Sequence, residues 1–162
     1  MPATDETRWL DRSQQHSWRA LMMGVTLLLD RLDEDLQREF GLSLSEYEIL
    51  VRLSERPDRC MRMAHIADSM AHSRSRVTHT ITRMERAGLV RRSTSPDDGR
   101  GIVATMTDEG FALLERAARS HVEGVRRYIV DICAPEDFEA MGRVMDAVSD
   151  ALVACHPQAE IR

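Results

Sequence analysis

The sequence contains no lysine, so arginine supplies all 22 of its basic residues. Every cationic contact must therefore be made by a planar, permanently charged guanidinium group. Cysteine is also scarce, and the odd number and wide spacing of Cys60, Cys133 and Cys155 exclude a disulfide framework and predict a reducing, cytoplasmic location. The longest nearly apolar run, 21–29, has nine residues against the roughly 20 that a membrane-spanning helix needs, so no membrane contact is expected. The acidic start also lacks the apolar stretch of a signal peptide.

Motifs for catalysis and metal binding are missing as well. The sequence has no GxSxG, P-loop, HExxH or GxGxxG pattern and no carboxylate pair in a recognisable loop, which argues against an enzyme. It has no CxxC and no pair of histidine or cysteine ligands at helical i, i+4 spacing, and Cys155-His156 alone is poor evidence for a metal site. The sequence thus predicts no catalytic residues, no metal and no cofactor.

The charge is distributed unevenly along the chain. The 162 residues carry a net charge of −5 and are 43% hydrophobic, which suits a single globular domain. Residues 72–103 contain seven arginines against three acids, whereas the segments 1–50 and 104–162 are each acidic. A local basic segment of this kind favours binding of a polyanion such as nucleic acid. On charge alone, a solvated charged face remains the alternative.

Helical periodicity dominates both ends of the chain. It predicts amphipathic helices over about 6–40 and 108–133, and another that begins at Pro135. The middle of the chain is too small to cover all three apolar stripes, so we expect them to pack on each other or on a second copy of the chain. The stripe of the first helix consists of Trp18, Leu21, Met22, Val25, Leu28, Leu29, Leu32 and Leu36.

The middle of the chain is a series of short elements. Ser45 and Glu48 form a capping-box pattern, Ser73 is a predicted N-cap, and Gly88 is a predicted helix stop. Helix, strand, helix, tight turn, helix and hairpin is the order of a winged helix-turn-helix, so we predict a mainly α fold with a small β-hairpin wing. The predicted elements are helices at 45–55, 64–70 and 73–87 and short strands at 60–63, 89–92 and 102–106.

The second helix of this motif has two distinct faces. Its inward face is predicted to carry Val77, Ile81 and Met84, and its outward face centres on hydroxyl, histidine and arginine side chains. Small hydroxyls let a helix sit deep in the major groove, and arginine can donate two hydrogen bonds to guanine. The free amides at the helix start suit phosphate. A surface helix that merely happens to be basic is the alternative.

The predicted hairpin tip contains Asp98-Gly99-Arg100. An arginine at this tip can enter the minor groove, where negative potential is concentrated. The aspartate can fix the loop or pair with Arg91, Arg92 or Arg100. An ordinary turn with a solvated arginine would have the same sequence.

Five segments of the chain form a specific set together: Met63–Ala67, Ser73–Thr78, Arg83–Arg92, Asp98–Arg100 and Thr107–Gly110. They resemble the MarR (multiple antibiotic resistance regulator) family of winged-helix repressors, and Trp18–Leu21 and Gly41–Ser43 are similar to its actinobacterial members. The resemblance implies a homodimer in which the terminal helices form the dimer lobe, bound to a pseudo-palindromic operator in double-stranded DNA. It divides the chain into a dimerisation helix at 1–44, a DNA-binding unit at 45–107 and further dimerisation helices at 108–162.

The resemblance also implies roles for individual residues. Arg100 matches the family's wing arginine, Asp98 matches the acid that holds it, and Arg92 is expected to contact phosphate at the base of the wing. The expected recognition-helix surface consists of Ser73, Arg74, Ser75, Thr78, His79 and Arg83.

The family often binds small phenolic or other anionic effectors in a crevice between the dimer helices and the winged unit. Trp18 and Met22 could equally be plain core residues. A thiol-based redox sensor is a further alternative, although no cysteine precedes Cys60, and so is a protein-interaction module without operator binding. The candidate crevice residues are Trp18, Arg19, Met22, Tyr47 and His121.

Overall fold

The structure is a computed structural model that describes residues 7–95 and 101–154. Within that part of the chain it is mostly helical with one small antiparallel sheet, as predicted. None of these helices is both long and apolar enough to cross a bilayer. The elements are α1 (Arg12–Phe40), α2 (Leu44–Ser54), β1 (Cys60–Arg62), α3 (Met63–Ser69), α4 (Arg74–Arg86), β2 (Val90–Thr94), β3 (Ile102–Met106), α5 (Asp108–Tyr128), a 3-10 turn (Val130–Ile132) and α6 (Pro135–Ala154).

The capping box that starts α2 differs from the predicted one. Ser43, not Ser45, is the N-cap, and its partner is Glu46, not Glu48. The Glu46 carboxylate accepts from the Ser43 amide and hydroxyl, both at 2.8 Å, while the Ser43 hydroxyl accepts from the Glu46 amide. Both pairs fit the same sequence pattern, and the one that forms has a buried carboxylate with further partners.

The ends of two long helices also differ from prediction. Helix α1 begins at Arg12 because Asp11 and Gln14 form a reciprocal capping box there. Helix α5 ends at Tyr128, and the predicted continuation to Cys133 is wrong because Ile129, at φ −140°, leaves the helical region. Pro135 begins α6 as predicted.

The core lies inside the winged-helix unit. Leu50, Leu53, Ile66, Ile81 and Met84 have no exposed surface there, and they join α2, α3 and α4 to one another. The sheet beside them has the order β1-β3-β2, with both pairings antiparallel. The end of α1 and the start of α5 complete this core, to which they contribute Leu36, Leu114 and Ala117.

Among the described residues, the contacts that hold helix α1 to α2 and α5 lie near its C-terminal end. The Tyr128 hydroxyl on α5 donates to Asp35 at 2.6 Å and accepts from Arg31 at 3.2 Å. Leu32 packs on Gly124, which has no side chain to obstruct it. The N-terminal part of α1 leaves large apolar side chains exposed, among them Trp18, Met22, Met23, Val25, Leu27 and Leu29.

Helix α6 is similarly uncovered. No residue over 135–153 is buried, and Val144, Val148 and Leu152 are each about half exposed. Two helices of the single chain therefore present apolar surface that the chain does not cover.

Candidate nucleic-acid interface

Helix α4 packs one face into the core and turns the other outward. Val77, Ile81 and Met84 are at most 1% exposed, as the periodicity predicted. The Ser73 hydroxyl caps the helix by accepting from the Arg76 amide at 3.2 Å, and this predicted N-cap is confirmed. The exposed residues of the helix are Arg74, Ser75, Arg76, Thr78, His79, Arg83 and Arg86.

Three threonines on α4 hydrogen-bond to their own helix. Thr78 donates its hydroxyl proton to the Arg74 carbonyl at 2.8 Å, and Thr82 donates to the Thr78 carbonyl at 2.8 Å. Thr80 does the same to the Arg76 carbonyl at 3.0 Å. These bonds fix the hydroxyl orientations, so the helix surface is organised before any partner binds.

Arg83 is held by a carboxylate from α2. Its Nε lies 2.6 Å from Glu46 and its Nη2 lies 3.0 Å from the Ser43 hydroxyl. Burial alone would raise the pKa of Glu46, but hydrogen bonds from Arg83 and Ser43 outweigh it and the net pKa lies below the ordinary value. The Arg83 side chain nevertheless remains 62% exposed, so Glu46 fixes its position without enclosing it.

Sequence reasoning missed Glu46 and Ser43 as partners of the recognition helix. The Ser43-to-Glu46 spacing marks a helix start, but nothing local indicates an arginine 37 residues further along the chain. Asp33 of α1 also reaches this point, where it accepts from the Leu44 amide at 2.7 Å. Helix α1, the start of α2 and helix α4 therefore meet in one polar cluster.

Arg92 is also held by a carboxylate. Glu85 accepts from the Arg92 amide at 3.0 Å and from its guanidinium nitrogens at 2.9 and 2.6 Å. The Arg92 guanidinium keeps the pKa of Glu85 below its usual value. These hydrogen bonds join the end of α4 to β2, so the orientation of the hairpin is coupled to that of the helix. The expected phosphate contact of Arg92 stays a prediction.

The hairpin begins as the sequence predicts. β2 pairs with β3 with Arg92 opposite Ala104, and the Ser95 amide donates to the Gly101 carbonyl at 2.7 Å. Asp98 and Arg100, the predicted tip residues, lie outside the described residues.

The five candidate effector residues do not all come together. Tyr47 and His121 pack with their ring centroids 4.4 Å apart, between α2 and α5. Burial lowers the pKa of His121, against a smaller opposing effect from Glu48, and its Nδ1 is buried without a hydrogen-bond partner. Trp18, Arg19 and Met22 lie instead on the exposed N-terminal part of α1. Glu39, near the end of α1, accepts a hydrogen bond from Ser120, the neighbour of His121 on α5. Trp18 lies roughly 30 Å from Glu39 along α1, at about 1.5 Å of helix rise per residue.

Two of the three cysteines lie in the described part of the chain, and both are free thiols. Cys60 is partly buried on β1 and accepts a hydrogen bond from Thr105 at 3.4 Å. Cys133 is a free thiol after the 3-10 turn, and Cys155 lies outside the described residues. Among the described residues, no three histidine, cysteine or acidic side chains are grouped as metal ligands would be.

Comparison with known proteins agrees with this geometry. Residues 42–102 match the family model for the MarR family. Sco3205, a MarR family transcriptional regulator from Streptomyces coelicolor solved in complex with DNA, superposes with a TM-score of 0.88 at 41% identity, over 91% of this chain and 92% of that one. The chain belongs to the MarR family.

Two further relatives are also transcriptional regulators. AbsC from Streptomyces coelicolor superposes with a TM-score of 0.86 at 40% identity, over 91% of this chain and 99% of AbsC. The transcriptional regulator PecS from Dickeya dadantii is 34% identical over 112 residues, which are 68% of this chain and 65% of PecS. The chain thus matches a little under two thirds of PecS, and these three relatives are transcriptional regulators.

Proposed function

We propose that this MarR-family chain is a transcriptional regulator that binds a pseudo-palindromic DNA operator as a homodimer, with α4 in the major groove and the hairpin in the minor groove. The observation that carries the proposal is the outward face of α4. Its exposed residues over 74–79 are arginine, serine, threonine and histidine, whereas the nearby acids Glu46 and Glu85 are paired with Arg83 and Arg92. The DNA complex of Sco3205 supports the same partner for this chain.

The uncovered apolar faces of α1 and α6 support the homodimer. A monomer that exposes Trp18, Met22 and Leu29 on α1 and Val148 on α6 to water carries apolar surface of the kind that marks an interface. A two-fold dimer presents two copies of α4, so the operator half-sites should lie about 34–36 Å apart.

Each group on α4 and the hairpin has a role in the proposal. Ser73, Arg74 and Ser75 offer helix-start amides, a hydroxyl and a guanidinium to phosphates and base edges. Thr78, His79 and Arg83 continue the reading surface further along α4. Arg92 contacts phosphate, Asp98 orients Arg100, and Arg100 enters the minor groove.

The operator itself can be found by selecting bound sequences from random duplexes. We expect enrichment of an inverted repeat. On that duplex, Arg74→Ala should weaken binding by about 1–3 kcal/mol. It should also reduce the slope of log affinity against log salt concentration by about one unit. Arg116→Ala, an exposed arginine on α5, is the matched control and should leave binding unchanged.

If no symmetric site were selected, the proposal that a homodimer binds a pseudo-palindromic operator would be contradicted. It would favour the other candidate, a winged-helix interaction module that does not bind an operator. An equal loss of affinity in Arg74→Ala and Arg116→Ala would mean that only overall charge matters.

The regulator is further proposed to be a repressor that responds to a small anionic or phenolic effector. Tyr47 and His121 are the candidates that support this, because the buried Nδ1 of His121 lacks a partner that a polar ligand could supply. A lowered pKa keeps this imidazole neutral at pH 7, when it can donate or accept.

A further inference from the structure

The two hydrogen bonds that hold Arg83 both come from one edge of its guanidinium group. Nε donates to Glu46 at 2.6 Å, and Nη2 donates to the Ser43 hydroxyl at 3.0 Å. These two nitrogens form the side edge of the planar group, whereas Nη1 and the second hydrogen of Nη2 form its end edge. Within the described residues the end edge makes no hydrogen bond, so it keeps two parallel N–H donors for another partner.

The carboxylate that holds Arg83 is itself fixed in place. The Glu46 side chain is only 6% exposed, and the oxygen that does not contact Arg83 accepts from the amide and the hydroxyl of Ser43, both at 2.8 Å. Because Glu46 is anchored in this way, it sets the direction in which the end edge of Arg83 points.

Arg83 lies beside the residues of the proposed reading surface. An open cleft runs along the outward side of α4, and Arg83 lines it together with Thr78, His79 and Thr82. A DNA base that approaches these side chains therefore also approaches Arg83.

Arg76 provides a comparison on the same flank of α4. It lies seven residues before Arg83, which is about two helical turns, and its Nη2 donates to the Ser45 hydroxyl at 3.4 Å. In the described part of the chain no carboxylate pairs with Arg76, whereas Glu46 offsets the charge of Arg83. A guanidinium that is already paired adds little to the neutralisation of phosphates, so the two arginines should contribute to DNA binding in different ways.

We propose, given the operator binding proposed above, that Glu46 is a positioning residue that makes Arg83 read a base instead of binding a phosphate. The carboxylate cancels the charge that would attract Arg83 to any phosphate. It also fixes the end edge, whose two donors match O6 and N7 of guanine. Glu46 does not contact DNA in this arrangement. It lowers the affinity for DNA of any sequence and raises the preference for the operator.

The test measures the affinity of the full chain for the selected operator and for a random duplex of equal length, over a range of salt concentrations. Glu46→Gln removes the charge but keeps the capping box, since glutamine also serves at that position. We expect this variant to bind the random duplex up to about eightfold more tightly at about 0.1 M salt, with a slope about one unit steeper. Its preference for the operator should fall at least about fivefold.

A double variant separates the base contact of Arg83 from its charge. Glu46→Gln with Arg83→Gln removes one charge of each sign, so its affinity for the random duplex and its salt slope should equal those of the wild type. Its affinity for the operator should fall by about 5- to 150-fold. Arg76→Gln should instead weaken both duplexes alike and reduce the slope by about one unit. Arg116→Gln is the control and should change neither.

Each other outcome overturns the proposal. An equal loss of affinity for both duplexes in Glu46→Gln would mean that Glu46 acts only through the fold, and an unchanged preference would mean that it does not position Arg83 for reading. A double variant with wild-type preference would remove Arg83 from the reading surface. All three results leave operator binding standing if Arg74→Ala still weakens it. A wild type that selects no operator would instead overturn both proposals.

Discussion

The winged-helix unit and the long terminal helices differ in how completely they bury their apolar side chains. Between α2 and β3, side chains such as Leu50, Ile66 and Ile81 are completely enclosed. Along the N-terminal part of α1 and along α6, apolar side chains of similar size are about half exposed. The two regions have similar hydrophobic patterns, but only one of them supplies its own partner surfaces.

This difference teaches that an apolar stripe predicts burial without predicting what buries it. In the winged-helix unit the covering surfaces come from neighbouring elements of the same chain. In the terminal helices, under the proposed homodimer, they come from a second copy. The stability of the first region should therefore be a property of the monomer, and that of the second a property of protein concentration.

The largest expected effect comes from making the same substitution in both regions. Leu50→Ala should lower the free energy of unfolding by about 2–5 kcal/mol, because it leaves a cavity in a closed core. Leu29→Ala should instead raise the dimer dissociation constant and leave the unfolding of the monomer almost unchanged. Denaturant unfolding and sedimentation velocity over a range of concentrations separate the two. A comparable loss of monomer stability in Leu29→Ala would break the comparison.

A smaller effect is expected at the polar cluster where the two regions meet. Glu46→Gln should reduce the free energy of unfolding at pH 7 by roughly 1 kcal/mol, because the mostly exposed Arg83 loses a charged partner. The lowered pKa of Glu46 means that its contribution is present above the pKa of the unfolded chain and is lost as pH falls through the folded pKa. The difference in unfolding free energy between the wild type and Glu46→Gln should therefore disappear at acidic pH.

The control for this cluster is Arg83→Gln, alone and combined with Glu46→Gln. If the two single changes add in the double variant, the pair contributes no coupling and Glu46 acts only through its capping of α2.

The smallest effect is expected at Gly142 in α6. A Cβ built there meets nothing within 4 Å, so Gly142→Ala should stabilise the helix by about 0.5–1 kcal/mol in thermal unfolding. Gly110 lies at the start of α5, where a Cβ would be 2.3 Å from the Leu89 carbonyl, so the matched change Gly110→Ala should destabilise. Destabilisation by Gly142→Ala would instead indicate that a second copy packs directly against this residue in the proposed dimer.

Elements that depend on local signals could be predicted from the sequence. Ser73 and Gly88 bound α4 because a side-chain cap and a left-handed residue, at φ 74° for Gly88, are local requirements. Pro135 starts α6 for the same kind of reason. The inward face of α4 followed from periodicity alone.

Features that depend on distant partners could not be predicted. Ser43 and Ser45 are each followed three residues later by a glutamate, and the choice between them involves Arg83, which no local pattern reveals. Arg92 was expected to be a phosphate contact or a partner of Asp98, but its link to Glu85 depends on how β2 folds back over α4. The separation of Trp18 from Tyr47 depends on where α1 is attached to α5.

The threonines of α4 have a consequence for the kind of base sequence that the proposed operator contains. Because the hydroxyl protons of Thr78 and Thr82 are already donated to carbonyls one turn back, each side chain offers an approaching base only oxygen lone pairs and a methyl group. Lone pairs accept from the amino groups of adenine and cytosine, and a methyl group packs against the methyl of thymine. These two positions should therefore discriminate against the acceptor edge of guanine, which the hydrogen-bond donors of the helix, its arginines among them, can satisfy.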